Sequence, residues 1–381
     1  MRLFKSGKNQ KFMEIKIDLV KAFTKNAEQG NPAGVVLDAN NLNSEKMLEI
    51  SLKLGFSESV FVLDSTVADF KFRFFSPSQE VDLCGHATIA ACYDLIKNNL
   101  IKMNEADLAK NVSIETNVGV ILVECFKDGL IMMIQKKSEV IEYSHDKKRI
   151  AEALGIEEEQ IEDWPIQTVS TGTAKLMIPI KSLKSLFEIN CDFEKIIEYC
   201  KNSGARGFYV FTTETIDENN DFHARQFNPL AGINEDPITG VAAGSLGAYL
   251  QMNELSEKKE FVVEQGNVMN QAGKIFVEVE NKIKVGGYAV CFGEKNCTKL
   301  NIKSKRDIDI LRCNSDPYYK SMVQQYLNLE KFEKDFKQNV KMNNVNYDTA
   351  GGRAQKYCNQ HSLSEKCNDK ESMSLIIMMM L

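Results

Sequence analysis

Two short segments of the chain place reactive side chains directly in front of an apolar helical run. Residues 84–86 read Cys-Gly-His, and residues 235–240 read Glu-Asp-Pro-Ile-Thr-Gly. Each follows an Arg-x-Phe-x-Pro segment and an acid, the first over residues 73–80 and the second over residues 225–235. Thiols, imidazoles and carboxylates transfer protons near neutral pH when their surroundings shift their pKa values. The repeat therefore predicts one active site built from two halves of the chain.

A carboxylate earlier in the chain is a further candidate for proton transfer. Glu58 stands at the start of the apolar strand 59–63, shortly after Gly55. A carboxylate that is partly desolvated at such a place has a raised pKa and can pass a proton near neutral pH. The alternative is a solvent-facing strand residue, and spacing alone favours that alternative.

The two helical runs offer a place for an anion. The first N–H groups of a helix have no intrahelical partner and carry partial positive charge, so they suit a substrate carboxylate. Gly85 begins the first helix, and Gly240 and Val241 begin the second. Two such N-termini at one site would also stabilise an enolate-like oxygen. His86 can equally be a helix-cap histidine, and Asp236 a turn or N-cap carboxylate.

The elements that position these residues follow a repeated order. Residues 86–100 and 240–252 are apolar on most sides, which predicts helices that are buried all round. Amphipathic helices are predicted around residues 44–54 and 193–202. Each half is predicted to be a set of antiparallel strands around one buried helix. The predicted strands cover residues 15–23, 35–37, 59–63, 69–75, two or three segments within 111–135, and 175–180, 207–211, 225–227, 260–264, 273–279 and 282–290.

Composition restricts the class of protein. A net charge of −6 and a pI near 5.5 argue against nucleic acid as the main partner. No apolar run approaches the ~18 residues of a membrane span, and the first twelve residues lack the apolar core of a secretory signal. Ten cysteines without a Cys-x-x-Cys pair do not indicate a zinc ribbon. We expect a cytoplasmic protein with reduced thiols and no nucleic-acid or membrane partner.

The 381 residues are enough for two domains with their own cores. We predict an N-terminal extension (1–12), a first half (13–130) and a second half (131–293), and we leave open whether the last strands return to the first half. Residues 294–381 are polar and rich in Lys and Asn, and we predict a C-terminal extension that is partly disordered.

Four motifs in consistent order resemble the phenazine-biosynthesis PhzF-like family, which shares its fold with diaminopimelate epimerase and proline racemase. They are Gly-Asn-Pro-Ala-Gly (30–34), Ser-Glu-Ser-Val-Phe-Val (57–62), Asp-Leu-Cys-Gly-His-Ala-Thr (82–88) and Glu-Asp-Pro-Ile-Thr-Gly (235–240). The resemblance covers about residues 13–293. It implies an α+β fold of two similar domains, each a β-barrel-like sheet wrapped around a central buried helix. It also implies a homodimer and a site between the domains that needs no metal and no organic cofactor.

The resemblance assigns roles to the candidate residues. Glu58 matches the family's catalytic glutamate, and His86 and Asp236 match residues that bind substrate or relay protons. Further matches are the turn residue Asn31, which would touch the substrate, and the backbone donors Gly85, Gly240 and Val241. Family members usually have serine where this chain has Val241, which puts the family's type substrate in doubt.

Cys84 stands where the related epimerases place one of two acid/base cysteines, and Asp236 stands roughly at the place of the second. A thiol beside a helix N-terminus is expected to have a lowered pKa. The implied function is a cofactor-independent isomerase that moves a proton on a small carboxylate. The alternatives are a racemase or epimerase that uses Cys84 and Asp236, and a non-catalytic protein that binds small carboxylates. A thiol hydrolase using Cys84 and His86 is less favoured, because no Asn or Asp partner is evident.

Overall fold

The computed structural model describes residues 15–297 except Glu105 and Gly232. The predicted N-terminal extension lies outside these residues, as do residues 298–381 of the predicted C-terminal extension. Among the described residues, no helix is both long and apolar enough to cross a membrane.

Eighteen strands and six α-helices make up the described part of the chain. The strands are β1 (Ile15–Ala22), β2 (Asn31–Val36), β3 (Glu58–Leu63), β4 (Phe70–Phe75), β5 (Glu80–Val81), β6 (Ala109–Thr116), β7 (Gly119–Phe126), β8 (Ile131–Ile134), β9 (Glu139–Ile141), β10 (Gln167–Ser170), β11 (Lys175–Pro179), β12 (Phe208–Thr212), β13 (Phe222–Asn228), β14 (Ile233–Asp236), β15 (Glu260–Gln265), β16 (Gly273–Glu278), β17 (Lys284–Gly287) and β18 (Ala289–Cys297). The helices are α1 (Ser44–Leu54), α2 (Gly85–Lys97), α3 (Lys147–Leu154), α4 (Leu183–Glu188), α5 (Phe193–Ser203) and α6 (Gly240–Met252).

The strand pairings repeat across the chain. In the first half β2 runs parallel to β3, β3 antiparallel to β4, and β4 parallel to β6. In the second half β11, β12, β13 and β15 repeat these three pairings in the same order. The predicted duplication is therefore present, but each half mixes parallel and antiparallel pairs, so the purely antiparallel strands that we predicted are wrong.

Two pairings join the predicted halves. β18 pairs with β1 over eight residue pairs, and β8 pairs with β7 over three. All strands thus belong to one mixed sheet. The predicted boundary at residues 293/294 falls inside β18, where Glu294 forms an ion pair of 3.2 Å with Lys16 on β1. Polar composition alone therefore misplaced the end of the last strand.

The two long apolar helices lie inside the sheet, as their composition predicts. Helix α6 occupies residues 240–252 as predicted, whereas α2 ends at Lys97, before the predicted residue 100. α2 packs on β1, β2, β3 and β18, and α6 packs on β10, β11, β16 and β17. A Cβ atom at Gly247 would lie 2.8 Å from Val279, so glycine is needed for this close approach. Residues of both helices belong to one continuous hydrophobic cluster. The division into two domains stays a prediction.

A bidentate ion pair precedes each of these helices. Arg73 on β4 donates to both carboxylate oxygens of Glu80 on β5, at 2.8 and 2.7 Å. Arg225 on β13 does the same to Glu235 on β14, at 2.8 and 2.9 Å. Each guanidinium also lies over the phenylalanine two residues later on its own strand. The repeated Arg-x-Phe-x-Pro segment and its acid therefore build the strand pair that leads into each buried helix.

Candidate active site

Two predicted site residues and a neighbouring serine lie around the imidazole of His86. Its Nδ1 atom lies 3.4 Å from the sulfur of Cys84. Its Nε2 atom lies 3.4 Å from the hydroxyl of Ser57 and 3.6 Å from a carboxylate oxygen of Glu58. The ring is buried, so these neighbours supply most of its polar surroundings. The arrangement puts two possible proton carriers, Glu58 and Cys84, beside one histidine and within hydrogen-bonding reach of each other.

Strand β3 and helix α2 hold these groups in place. Glu58 is the first residue of β3 and lies beside Ala33 of β2 in the parallel pair. Cys84 is the N-cap residue of α2, and its side chain makes no capping hydrogen bond. A Cβ atom at Gly85 would meet no atom within 4 Å, so the start of the helix adjoins open space. The first N–H groups of α2 can therefore bind an anion, as the sequence predicts.

Asp236 lies at the other side of the site, at the end of β14. One carboxylate oxygen accepts a hydrogen bond of 3.3 Å from the amide of Asn31. The other accepts a short hydrogen bond from the hydroxyl of Thr239. The Asn31 amide also donates to the backbone carbonyl of Ile238 at 3.2 Å. Asn31 on β2 thus ties the first half of the chain to the Asp236 turn, a contact that its prediction as a substrate-binding residue did not include.

The turn that carries Asp236 is held by buried residues that sequence reasoning missed. Gln265 on β15 donates to the backbone carbonyl of Asp236 at 2.9 Å. Its own carbonyl accepts from the N–H of Thr239 at 3.3 Å and from the hydroxyl of Tyr209 at 3.4 Å. Thr239 belongs to the Glu-Asp-Pro-Ile-Thr-Gly motif (235–240), so the sequence did mark its position. Gln265 and Tyr209 lie in ordinary strands, where the sequence offers no comparable signal.

Burial sets the protonation of the acids and of the imidazole. Desolvation raises the pKa of Glu58, against hydrogen bonds from Ser57 and Cys84 that lower it. Desolvation also raises the pKa of Asp236, although its bond from Thr239 opposes the shift. The pKa of His86 falls to about 4 through burial, against the charge of Asp236. The ring is therefore neutral near pH 7, and both carboxyls hold protons more tightly than exposed acids do.

The electrostatics link the two sides of the site. The charges of His86 and Glu58 both act on Asp236, and that of Asp236 acts in turn on His86. The structure thus places Glu58, Cys84 and His86 in one group and Asn31 and Asp236 in a second, and the charges of the two groups interact.

The expected activation of Cys84 by its helix is wrong. The N–H of Ala87 does lower the pKa of the thiol, as a helix N-terminus should. Burial, the largest cause, and the charge of Glu58 outweigh this effect and raise the pKa of Cys84 well above its ordinary value. Cys84 is a protonated thiol near pH 7, so it is a poor base.

At the start of α6, the predicted backbone donors Gly240 and Val241 are the first two residues of the helix. Thr239, its N-cap residue, makes no side-chain capping bond, so the first N–H groups of the helix are not occupied by it. Gly240 lies against the ring of Phe23, because a Cβ atom there would be 3.2 Å from the ring. Val241 is half-buried, and its carbonyl accepts a bond of 3.2 Å from the Thr171 hydroxyl.

The donor atoms of Glu58, Cys84 and His86 lie within 4.8 Å of one another, a spacing that could suit a metal ion. A metal would need the Cys84 thiolate, which burial and the Glu58 charge disfavour. A site without metal or organic cofactor stays the prediction.

Comparison with known proteins assigns the fold to a family. The chain is 34% identical to an uncharacterized isomerase, YfhB of Bacillus subtilis, over 73% of this chain and 97% of that protein. It is 38% identical to an uncharacterized isomerase of Clostridium acetobutylicum, over 71% and 94%. The crystal structure of a PhzF-family phenazine biosynthesis protein from Bacillus anthracis superposes with a TM-score of 0.68 at 31% identity, over 75% and 99%.

A more distant structure shares the fold alone. A hydroxyproline epimerase from Agrobacterium vitis superposes with a TM-score of 0.51 at 12% identity, over 74% of this chain and 91% of that one. The family model described as "Phenazine biosynthesis-like protein" matches residues 20–295. The expected resemblance is confirmed, and the chain belongs to the PhzF-like family of phenazine biosynthesis-like proteins, many of whose named members are isomerases.

Proposed function

We propose that this protein is a cofactor-independent isomerase that moves a proton on a small carboxylate-bearing substrate. The observation that carries the proposal is the pair of half-buried acids: Glu58 lies beside one neutral imidazole, and Asp236 interacts electrostatically with it. Their raised pKa values suit proton exchange near neutral pH. That the chain belongs to a family of isomerases and epimerases does not depend on these roles.

Each group has a role in this mechanism. Glu58 as carboxylate takes a proton from a carbon atom of the substrate. The neutral ring of His86 accepts a hydrogen bond or relays the proton, because one ring nitrogen is free to accept. Asp236, held by Asn31 and Thr239, hydrogen-bonds the substrate or returns a proton. The uncapped N-termini of α2 and α6 bind the substrate carboxylate and stabilise negative charge as it develops.

Deuterium exchange tests the proposal directly. The protein is incubated in heavy water with a panel of amino acids, hydroxy acids and dihydro-hydroxyanthranilate, and mass spectrometry reads the uptake. We expect uptake by the wild type and a rate that is about 10²–10⁴-fold lower in Glu58→Gln. The control is Glu260→Gln, at an exposed residue of β15, which should leave the rate unchanged. Equal rates in the wild type and Glu58→Gln would refute the role of Glu58.

The two other functions give different results in the same assay. A racemase using Cys84 and Asp236 would lose exchange in Cys84→Ala as severely as in Glu58→Gln. A non-catalytic carboxylate-binding protein would be stabilised by ligands, with a raised melting temperature, and would show no uptake with any of them. The raised pKa of Cys84 argues against the first alternative.

A further inference from the structure

Lys175, the first residue of β11, is a buried cation outside the predicted site. Only 2% of the residue is exposed. Its ammonium makes no hydrogen bond or ion pair with any residue in the described part of the chain. By contrast, the half-buried Lys284 pairs with Glu124 at 2.9 Å and with Glu278 at 3.1 Å. An ammonium in so buried a residue is unfavourable unless an acceptor or an anion lies beside it, so Lys175 is a candidate for binding an anionic ligand.

The side chain of Lys175 is on the α6 side of the sheet. Val169, its cross-strand neighbour on β10, belongs to the hydrophobic cluster around α2 and α6. Met177, two residues along β11, belongs to the same cluster, whereas Leu176 belongs to the cluster on the other side. Because side chains alternate along a strand, Lys175 shares the face of Met177. Helix α6 packs against this strand, so Lys175 lies on the side where α6 carries the site.

Lys175 and Asp236 act on each other without forming an ion pair. The charge of Asp236 favours the protonated form of Lys175, and the charge of Lys175 favours the carboxylate of Asp236. The two Asp236 oxygens are already occupied by Asn31 and Thr239. The ammonium is therefore close enough to Asp236 for the two charges to interact, and its N–H donors make no hydrogen bond to a described residue. These donors could bind a negatively charged group of a ligand beside Asp236.

We propose that Lys175 binds a second anionic group of the substrate, so that the site selects small molecules with two negatively charged groups, such as dicarboxylates or phosphorylated carboxylates. One group would lie at the helix N-termini and the other on the ammonium. The inference rests on the proposed function above, because it assumes that the site binds a carboxylate substrate.

Matched ligand pairs test the inference by binding alone. The pairs are glutamate with glutamine, aspartate with asparagine, and 3-phosphoglycerate with glycerate, each measured by calorimetry and by the shift in melting temperature. In the wild type we expect the ligand with the extra negative charge to bind roughly 30-fold more tightly in at least one pair. In Lys175→Gln this preference should fall to about onefold, and Lys175→Arg should keep part of it.

Two further variants separate binding from folding. Lys175→Met replaces the ammonium with an apolar group of similar length, which a buried position tolerates, and it should fold and lack the preference. Lys201→Gln, at an exposed residue of α5, should keep the preference. A preference that survives in Lys175→Met overturns the inference. A wild type that shows no preference in any pair also overturns it. The same holds for a Lys175 variant that binds both ligands of a pair more weakly by the same factor, since Lys175 would then act only through the charge of Asp236.

The two proposals fail in distinguishable ways. Proton transfer is read from deuterium uptake and its dependence on Glu58, whereas the role of Lys175 is read from the binding ratio within a pair. Uptake that depends on Glu58, with no charge preference, overturns only the inference about Lys175. A charge preference that depends on Lys175, without uptake by any ligand, overturns only the isomerase.

Discussion

Glu58 and Cys84, which both lie beside the imidazole of His86, differ in their protonation. Burial raises the pKa of the Glu58 carboxyl above its ordinary value and that of the Cys84 thiol well above its own. Near pH 7 the thiol keeps its proton. At the scale of single residues, this supports our proposal that Glu58 is the base and that Cys84 donates a hydrogen bond to it.

The pH dependence of exchange follows from the direction of the Glu58 shift. A base must be ionised, and a raised pKa means that ionisation occurs at a higher pH than the ordinary value of about 4.3. We expect kcat/KM for deuterium uptake to rise with pH through this midpoint and then to level off. A rate that begins to rise only above about pH 8, where thiols ionise, would contradict this and identify Cys84 as the base.

Removal of the Cys84 thiol should affect exchange only slightly. We expect Cys84→Ala to keep exchange within about tenfold of the wild type, because the thiol is protonated and contributes a hydrogen bond rather than a base. The matched control is Cys92→Ala, in the same helix, where a buried cysteine is removed away from His86. A loss in Cys84→Ala as large as that in Glu58→Gln would overturn the assignment.

The sequence indicated the candidate site residues more clearly than it indicated the residues that surround them. Motifs identified Glu58, His86 and Asp236, because each motif combines a reactive side chain with a glycine or a helix start. Gln265 and Lys175 carry no such mark, since each is one polar residue in a strand. Whether such a residue is buried depends on strand register and on α6, which a single sequence does not specify.

At the scale of elements, the two bidentate ion pairs differ in depth. Arg73 retains 20% of its side-chain exposure, and Arg225 retains 7%. Arg225 also donates to the carbonyls of Leu186 and Ile189, at 3.0 and 3.2 Å. The Arg225–Glu235 pair therefore holds α4 and the residue that follows it, Ile189, against β13. The Arg73–Glu80 pair mainly holds β4 against β5.

This difference predicts unequal losses of stability. We expect Arg225→Met to lower the free energy of unfolding by about 3–5 kcal/mol, because it leaves Glu235 and two buried carbonyls without their donor. Arg73→Met should lower it by only about 1 kcal/mol, since its pair is more exposed. Urea unfolding followed by circular dichroism measures both. Equal losses would show that the additional carbonyl contacts of Arg225 contribute nothing.

Element boundaries were predicted less well than element types. The predicted strand 282–290 is two strands, β17 and β18, and β18 continues to Cys297. The sequence predicts that the polar residues from 294 onward belong to an extension, because the strand that pairs with them, β1, lies far away in the sequence. The parallel pairs were missed for the same reason, since a strand's alternation does not reveal the direction of its partner.

For the molecule as a whole, a pair of buried acids between α2 and β1 links stability to pH. Asp94 of α2 is fully buried, and burial, followed by the charge of Asp18, raises its pKa to about 6. Lys97 and Lys16 oppose this shift, and Glu294 reinforces it. Because the pKa of Asp94 is higher in the folded state, folding favours the protonated carboxyl. The stability that depends on this proton is fully present below about pH 4 and is lost as the pH rises through about 6.

Substitution of Asp94 should therefore stabilise the protein at neutral pH. We expect Asp94→Asn to raise the free energy of unfolding by roughly 1–3 kcal/mol at pH 7 and by little at pH 4, because the amide carries no charge. The exposed Asp38→Asn is the control and should change stability little at either pH. Denaturant unfolding at both pH values gives the answer. A gain of the same size at pH 4 would contradict the electrostatic cause.

Assembly is a further whole-molecule prediction. We propose a homodimer, on the family resemblance alone. Light scattering coupled to gel filtration measures the mass of the assembly, for which the chain mass is 43.0 kDa. A single-chain mass at micromolar concentration would contradict the dimer.

Among the strands that the structure describes, the ribosome delivers β1 first and β18 last. One edge of β1 can pair with β2 as soon as residue 36 has emerged, but the other edge must wait for residues 289–297. At ordinary translation speeds roughly 10–50 s separate the two events. During that interval the nascent chain presents an unpaired strand edge beside an incomplete core, the kind of surface that chaperones bind and that aggregates form on. Slower translation of the second half would lengthen this exposure.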